Sequence, residues 1–153
     1  MKEIKLTQGM IALVDDEDFD YLNQWRWYVH KERYSYYALR SVKNSNKKTI
    51  AMHRIIMGTP DNMHTDHKDK NGLNNQKDNL RYCTNGQNQM NRKSSGKINY
   101  LGVNCVGKHF QSRISTERKR IYLGTFKTEK EAALAYNKAA IKYHGEFASL
   151  NII

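Results

Sequence analysis

Residues 63–92 read MHTDHKDKNGLNNQKDNLRYCTNGQNQMNR, and this stretch decides the fold around it. It holds Asp66, His67, Asp69, Asn71, Asn79, Asn88 and Asn91 with no long apolar run, more polar side chains than folding alone asks for. Thr65-Asp66-His67 ends a short strand, Lys70-Asn71-Gly72 is a strong turn signal, and Leu80-Arg81-Tyr82-Cys83 forms the returning strand. Thr84 opens a Thr-x-x-Gln capping box, whose reciprocal side-chain to backbone bonds start a helix through about Arg92. Strand, long loop, strand and helix make a small ββα unit.

That unit can juxtapose four groups. Asp66 and His67 are neighbours, so on a strand they point to opposite faces unless the chain bends. Asn79 starts the second strand, within reach of the first strand's end. Asn88 lies one turn into the helix, on the face that Asn91 shares by its i, i+3 spacing. A hard divalent cation such as magnesium takes oxygen ligands and keeps several waters, so one carboxylate and one amide oxygen suffice. A neutral imidazole beside it can deprotonate a water for attack on phosphorus. The combination reads as a one-metal phosphodiesterase.

These residues resemble the HNH (ββα-metal) nucleases: Asp66-His67, Asn79-Leu80 starting twelve residues after His67, and Asn88 nine after Asn79, with Asp69, Asn71 and Gly72 in the loop. The likeness is closest to phage and intron-encoded homing endonucleases whose last motif position is Asn instead of His. The resemblance implies that His67 is the general base, that Asp66 and Asn88 hold Mg2+ or Mn2+, and that Asn79 orients the His67 ring. A neutral amide oxygen at the last position is a weak ligand, so tight zinc binding is not expected. Met52-His53-Arg54 resembles the lead-in of the same subfamily, with His53 expected as a packed structural histidine.

Composition sets the bounds. At 153 residues the chain suits one compact domain or two small ones. A mean hydropathy of −0.86 and the lack of a long apolar run argue against a membrane protein. Cys83 and Cys105 stand far apart and are expected to be reduced. With no signal-peptide pattern at Met1-Lys2-Glu3-Ile4, a cytoplasmic protein of a bacterial or phage-infected cell is expected. It is expected to act as a monomer without a small-molecule cofactor. The net charge of +11 asks for a polyanionic partner, and it is uneven. Residues 92–153 hold 12 Lys and Arg against 4 Asp and Glu, so this part should grip the polyanion more strongly.

Ahead of the ββα unit, Lys5 to Val14 suits a strand, and Asp15-Asp16-Glu17-Asp18 favours the N-terminus of a short helix with Phe19, Leu22 and Trp25 on its apolar face. Trp27 to His30 and Tyr36 to Arg40 read as two strands, and Lys43 to Lys48 as a basic turn. Thr49 to Met52 resumes a strand or opens a helix. His53 to Met57 forms a short helix ended by Gly58 and Pro60. Lys93 to Lys97 is a small, basic linker.

After the linker the pattern changes. Tyr100 to Val103, Phe110 to Ser115 and Arg120 to Gly124 read as three strands. Phe110, Ser112 and Ile114 share one face of the second, and Gln111, Arg113 and Ser115 the other. Thr128-x-x-Glu131 is a second capping box, and the helix after it lines up Ala132, Ala135, Tyr136, Ala139, Ala140 and Tyr143 before Gly145. Small Ala side chains bring such a helix close to one sheet face. The other face, basic and free, can enter a major groove, where Arg and Gln read base edges.

This segment resembles the APETALA-type (ethylene-response-factor) DNA-binding domain. The residues that carry the likeness are Tyr100-x-Gly102-Val103, Phe110-x-x-x-Ile114, Leu123-Gly124-Thr125-Phe126, Glu131-Ala132-Ala133-x-Ala135-Tyr136 and Gly145-x-x-Ala148-x-Leu150-Asn151. It implies DNA contacts from Gln111, Arg113, Arg120 and Tyr122, joined by Lys108 and Arg118 in the turns. Leu101 and Asn104 stand where plant members usually carry Arg, and Val106 replaces a Trp, so the plant target sequence does not carry over.

The expected fold class is α+β: a small β-rich N-terminal region leading into the ββα unit, then a three-stranded antiparallel sheet packed on one helix. The expected domains are a nuclease at 1–93, a linker at 94–99 and a DNA-binding domain at 100–153. The expected activity is divalent-metal-dependent hydrolysis of double-stranded DNA at a site chosen by the C-terminal domain. The rival readings are a DNA-binding regulator with a non-catalytic HNH-like unit and an RNA-directed protein.

Overall fold

A computed structural model describes residues 1–32, 35–42, 49–90, 98, 100–116 and 119–153. The fold is α+β, and the chain divides into two compact units, Met1–Asn85 and Gly86–Ile153.

The first unit opens on an antiparallel hairpin, β1 (Lys2–Lys5) and β2 (Ile11–Val14), with Ile4 opposite Ala12. The single strand expected over 5–14 is therefore two strand ends around a turn. Thr7–Gly9 reverses the chain, with Gln8 at φ 61° and Gly9 at φ 70°. The acidic run does start a helix, α1 (Asp16–Leu22), in which three acidic residues occupy the positive first turn. Strands β3 (Tyr28–Lys31), β4 (Tyr36–Ser41) and β5 (Thr49–Ala51) form an antiparallel sheet in that order. Helix α2 (Met52–Met57) follows and stops at Gly58, whose φ of 58° a side chain would resist. Next come β6 (His64–His67) and β7 (Leu80–Cys83), paired with Asp66 opposite Arg81 and His67 opposite Leu80.

Helix α3 (Asn85–Met90) begins right after Thr84, and its first residue is the last of the first unit. The expected end of this helix near Arg92, Asn91, and the linker at 93–97 lie outside the described residues, as do the basic turn at 43–48 and Arg118.

Ile4, Leu6, Ala12, Val14, Leu22, Trp27, Val29, Ala38 and Met52 form the core of this unit, and Leu73 joins them from the Asn-rich loop. Trp27 hides its ring and still donates from Nε1 to the Leu22 carbonyl at 2.8 Å. One loop residue in an otherwise N-terminal core fixes where the loop runs.

The second unit is a meander, β8 (Val103–Val106), β9 (His109–Ser115) and β10 (Arg120–Phe126), with α4 (Glu129–His144) packed on it. Thr128 and Glu131 close the expected capping box, each side chain bonded to the other's backbone N–H. Ala132, Ala133, Tyr136, Ala139 and Ala140 are buried with Val103 and Ile114. Tyr143 is not: it is exposed, and His144 takes the inward place, its Nε2 2.8 Å from the Ser115 carbonyl. The first strand also starts later than expected, at Val103. Asn151 occupies the backbone of Leu101, accepting from its N–H at 2.6 Å and donating to its carbonyl at 3.1 Å, and Gly102 then turns the chain at φ 72°.

A Cβ on Gly102 would lie 2.1 Å from the Tyr136 ring and 2.4 Å from the Arg113 carbonyl, whereas one on Gly107 meets nothing. Both glycines have positive φ. Gly107→Ala should therefore cost only the conformational strain, about 1–2 kcal/mol. Gly102→Ala should add overpacking of about 1–3 kcal/mol. Thermal melts of the two variants against the native chain check the order, and equal losses would contradict the close approach.

Candidate functional site

The site around His67 is assembled from α2, β4, β6 and the loop. His67 closes β6 and is 5% exposed, and Asp66 before it is 7% exposed. The lead-in Met52-His53-Arg54 explains how β6 arrives. Met52 is fully buried, and Arg54 donates to the carbonyls of Thr59, Pro60 and Met63 at 3.0–3.2 Å, stapling the chain that enters the strand. Tyr82 on β7 donates to the Met57 carbonyl and ties the same helix to the hairpin. His53 packs its ring edge-on to His67 with centroids 5.0 Å apart, and the Tyr37 ring lies 5.9 Å from His67 and 5.8 Å from His53.

The loop between β6 and β7 is closed by its own side chains. Asp69 accepts from the Asn71 N–H at 2.8 Å, from Asn79 Nδ2 at 2.9 Å and from Asn74 Nδ2 at 2.8 Å. Asn79 in turn accepts from the Asp69 N–H at 3.0 Å and donates to the Asn74 carbonyl at 2.8 Å. Burial pushes the Asp69 carboxyl up, but the bonds from Asn71, Asn74 and Asn79 outweigh it and hold the group below the usual carboxylate range. The loop is also sewn to the N-terminal region. Asp15 accepts from the Lys77 N–H at 2.8 Å and from Gln76 at 3.2 Å.

The ring of His67 thus has a different neighbour from the one expected. Asn79 spends its amide on Asp69 and Asn74, and the side chain beside His67 is Asn75, with Oδ1 3.2 Å from Nε2. Asp66 lies in a buried ion pair: its Oδ2 accepts from Arg81 Nε at 2.9 Å and Nη2 at 2.7 Å. Asn88, the other expected metal ligand, is on α3, in the second compact unit. Sequence reading missed Asn75, Tyr37, His53 as a ring neighbour, and Arg81. A usable signal for Asn75 was Leu73, an apolar residue alone in a polar loop, with Asn75 two positions on.

The outer face of the β8–β10 sheet is a second candidate. The register sets Gln111 between Asn104 and Thr125, Arg113 opposite Tyr122, and Ser115 opposite Arg120. Gln111, Arg113, Arg120 and Tyr122 therefore share one face, away from buried Ser112 and Ile114. Arg113 donates to Gln111 at 2.8 Å, and the Tyr122 hydroxyl is 2.6 Å from that of Thr125. Lys108 is exposed at the β8–β9 turn. Asn104 and Thr125 complete the face and were not foreseen as part of it.

Both ring nitrogens' environments keep the histidine pair neutral. Burial, then the neighbouring His67 and Arg54, pushes His53 down to about 3, and its Nδ1 is buried without a hydrogen-bond partner among the described residues. Burial also lowers His67, against the opposing pull of Asn75, Asp69 and Asp66. In the unfolded chain His53 takes a proton below about pH 6.5. The folded chain refuses that proton until about 3, so stability is full above the unfolded value and falls as pH drops through this window. Melting temperatures between about pH 7 and pH 5 should show this fall, and His53→Phe should flatten it. An unchanged slope would contradict a buried neutral His53.

Comparison with known proteins places these arrangements. A family model described as HNH endonuclease matches residues 52–90, from the start of α2 to the end of α3. An uncharacterized HNH endonuclease of Acanthamoeba polyphaga mimivirus is 30% identical over 154 aligned positions, covering 95% of this chain and 77% of the relative. An AP2/ERF and B3 domain-containing transcription factor of Arabidopsis thaliana is 46% identical over 50 residues, covering 32% of this chain and 15% of its own length. An AP2-like ethylene-responsive transcription factor of the same plant is 47% identical over 68 residues, 39% of this chain and 12% of the relative. The chain spans only a small part of those plant proteins but most of the viral one, and it belongs to the HNH endonucleases.

Proposed function

We propose that this nuclease is of the homing type, hydrolysing double-stranded DNA with Mg2+ or Mn2+, residues 1–93 cutting and residues 100–153 selecting the site. The carrying observation is the buried Asp66-His67 pair at the end of β6, set in the motif spacing to Asn79 and Asn88. The outward face of Gln111, Arg113, Arg120 and Tyr122, with Lys108 exposed at the β8–β9 turn, supports the assignment of DNA contacts, to which Arg118 is added from the sequence alone. The likeness to plant proteins named as transcription factors supports it too.

His67 is the general base. Its neutral ring takes a proton from water as the water oxygen bonds to phosphorus and the P–O3′ bond breaks, O3′ leaving with the bonding pair and taking a proton from solvent. Burial supports this role, because it disfavours the charged imidazolium that could not accept a proton. Asn79 acts at one remove by closing the loop on Asp69. A carboxylate and an amide are hard oxygen donors, which fit magnesium or manganese. Asp66 and, by motif spacing, Asn88 would hold the cation, which supplies Lewis-acid stabilisation of charge on the phosphate. Arg81 holds the Asp66 carboxylate through Oδ2.

His67→Ala should lower single-turnover cleavage of duplex DNA by about 10²–10⁴-fold with little change in affinity. A variant as active as the native chain would remove His67 from the chemistry. Binding without metal-stimulated cleavage by the native chain would favour the regulator reading. Asp66→Asn keeps an acceptor for Arg81 but removes the compensating charge, so its fold is checked by circular dichroism; once folded it should lose cleavage that added magnesium does not restore.

On the sheet, Arg113→Ala or Arg120→Ala should cost about 1–3 kcal/mol of affinity and relax specificity at one base pair if the residue reads a base. A phosphate contact should instead weaken all sequences alike and reduce the salt slope by about one. Titrations of target and scrambled duplexes at several salt concentrations separate these outcomes. No change in either quantity would take this face off the DNA.

A further inference from the structure

The reading of His67 as general base, on which this inference rests, requires its ring to be held in one orientation and one tautomer. Asn79 cannot be what holds it, since both ends of its amide are committed to Asp69 and Asn74. We propose that Asn75 is the positioning residue of His67, and that the N-terminal hairpin β1–β2 serves the reaction by fixing Asn75 against the ring.

Three observations carry this. Asn75 is fully buried at 0% exposure, and its Oδ1 lies 3.2 Å from His67 Nε2. Its Nδ2 donates to the Leu73 carbonyl at 3.3 Å, and a carbonyl can only accept, so the amide is not free to flip. An amide oxygen likewise only accepts, so Nε2 carries the hydrogen, and the basic lone pair of the neutral ring is on Nδ1. Second, the Asn75 N–H donates to the Leu13 carbonyl at 2.8 Å, and the Leu13 N–H donates to the Leu73 carbonyl at 2.8 Å. Residues 73 and 75 are thereby seated on β2 as a short parallel bridge, while the Leu73 side chain enters the core that Ala12 and Val14 help to form. Third, the rings of His53 and Tyr37 pack against the His67 ring, contacts that restrict its position, whereas the Asn75 oxygen contacts one named ring nitrogen.

The arrangement is a triad-like relay of position: strand β2 sets Asn75, and Asn75 sets His67. An orienting partner that selects the wrong tautomer, or none, leaves the base present but facing its reaction with the wrong nitrogen. Residues with this kind of supporting contact typically matter by about 10- to 100-fold.

The test reads the tautomer directly in the full-length, metal-free protein. Long-range proton–nitrogen correlation spectra of nitrogen-labelled histidine, recorded where the rings are neutral, distinguish a hydrogen on Nε2 from one on Nδ1. The His67 signals are those missing from His67→Ala. The native chain should show Nε2–H. Asn75→Ala should move His67 toward a mixture and lower single-turnover cleavage at saturating DNA by about 10- to 100-fold, with DNA affinity unchanged. Asn75→Asp, which keeps an acceptor at the same place, should keep Nε2–H. Nδ1–H in the native chain overturns the proposal, and so does a folded Asn75→Ala with an unaltered tautomer. If Asn75→Ala does not fold, the native chain and Asn75→Asp decide alone: Nε2–H in both supports the contact, and its loss in either overturns it. The tautomer is read without cleavage, so an active His67→Ala would sink the base assignment while leaving the contact between Asn75 and the ring standing.

Discussion

Two backbone hydrogen bonds at Leu13 decide how the loop that follows His67 lies. The segment between β6 and β7 has only one short 3-10 turn of its own, at Lys77–Asn79, so ordering it is opposed by backbone entropy of about 1–2 kcal/mol per residue. Local side-chain bonds around Asp69 close the loop on itself, but they do not say where it sits. The bonds from Leu13 to residues 73 and 75 do, and burial of Leu73 adds roughly 1.5–3 kcal/mol in the same place. Asp15 extends the seam to Gln76 and Lys77. The first strands are thus part of the scaffold that seats this loop.

The same dependence explains what could be read from the residues alone. Elements set by local rules were legible: the two short strands around the loop, helix α2 with its Gly58 stop, and the capping box at Thr128 and Glu131. Asp66 and His67 stood out because neighbouring residues with metal and base chemistry need no tertiary knowledge to be noticed. The hairpin at Lys2–Val14 was missed because its turn, at Thr7–Gly9, puts a positive φ on Gln8, a residue with no special claim to that region. Asn75 was missed for a deeper reason. Asn71, Asn74, Asn75 and Asn79 are chemically alike, and only the pairing with β2 separates the buried one from the loop fasteners. Tyr37 reaches His67 through β4, from outside the matched motif, and His53 lies in the lead-in, where sequence gives its packing but not its ring partner.

In the second unit a regular pattern did more. Period-two alternation on β9 places Ser112 and Ile114 under the helix and Gln111 and Arg113 outside, and the antiparallel register then assembles the outer face from three strands. A register shift of one residue would exchange the two sets, so the face is as secure as the core beneath it. The ends of this unit escaped the pattern because side chains, not periodicity, fix them. Asn151 claims the backbone of Leu101, and Asn137 accepts from the Asn151 N–H at 2.7 Å.

Asp66, proposed above as a metal ligand, also holds the fold. Burying a carboxylate costs free energy unless it is paired, and Arg81, directly opposite on β7, supplies the opposite charge with two short hydrogen bonds. The pair also pins the register of the hairpin that carries His67. Truncating either partner leaves the other charge buried, a loss of roughly 3–5 kcal/mol that comes from stability and not from catalysis. Inactivity of an alanine variant at position 66 therefore carries two meanings, collapse of the hairpin or loss of a ligand. A substitution that preserves the acceptor for Arg81, with its fold and stability measured beside its activity, keeps them apart. At His67 the contacts are of another kind, two rings and the Asn75 amide, so a loss of cleavage in a variant whose fold is verified bears on the chemistry itself.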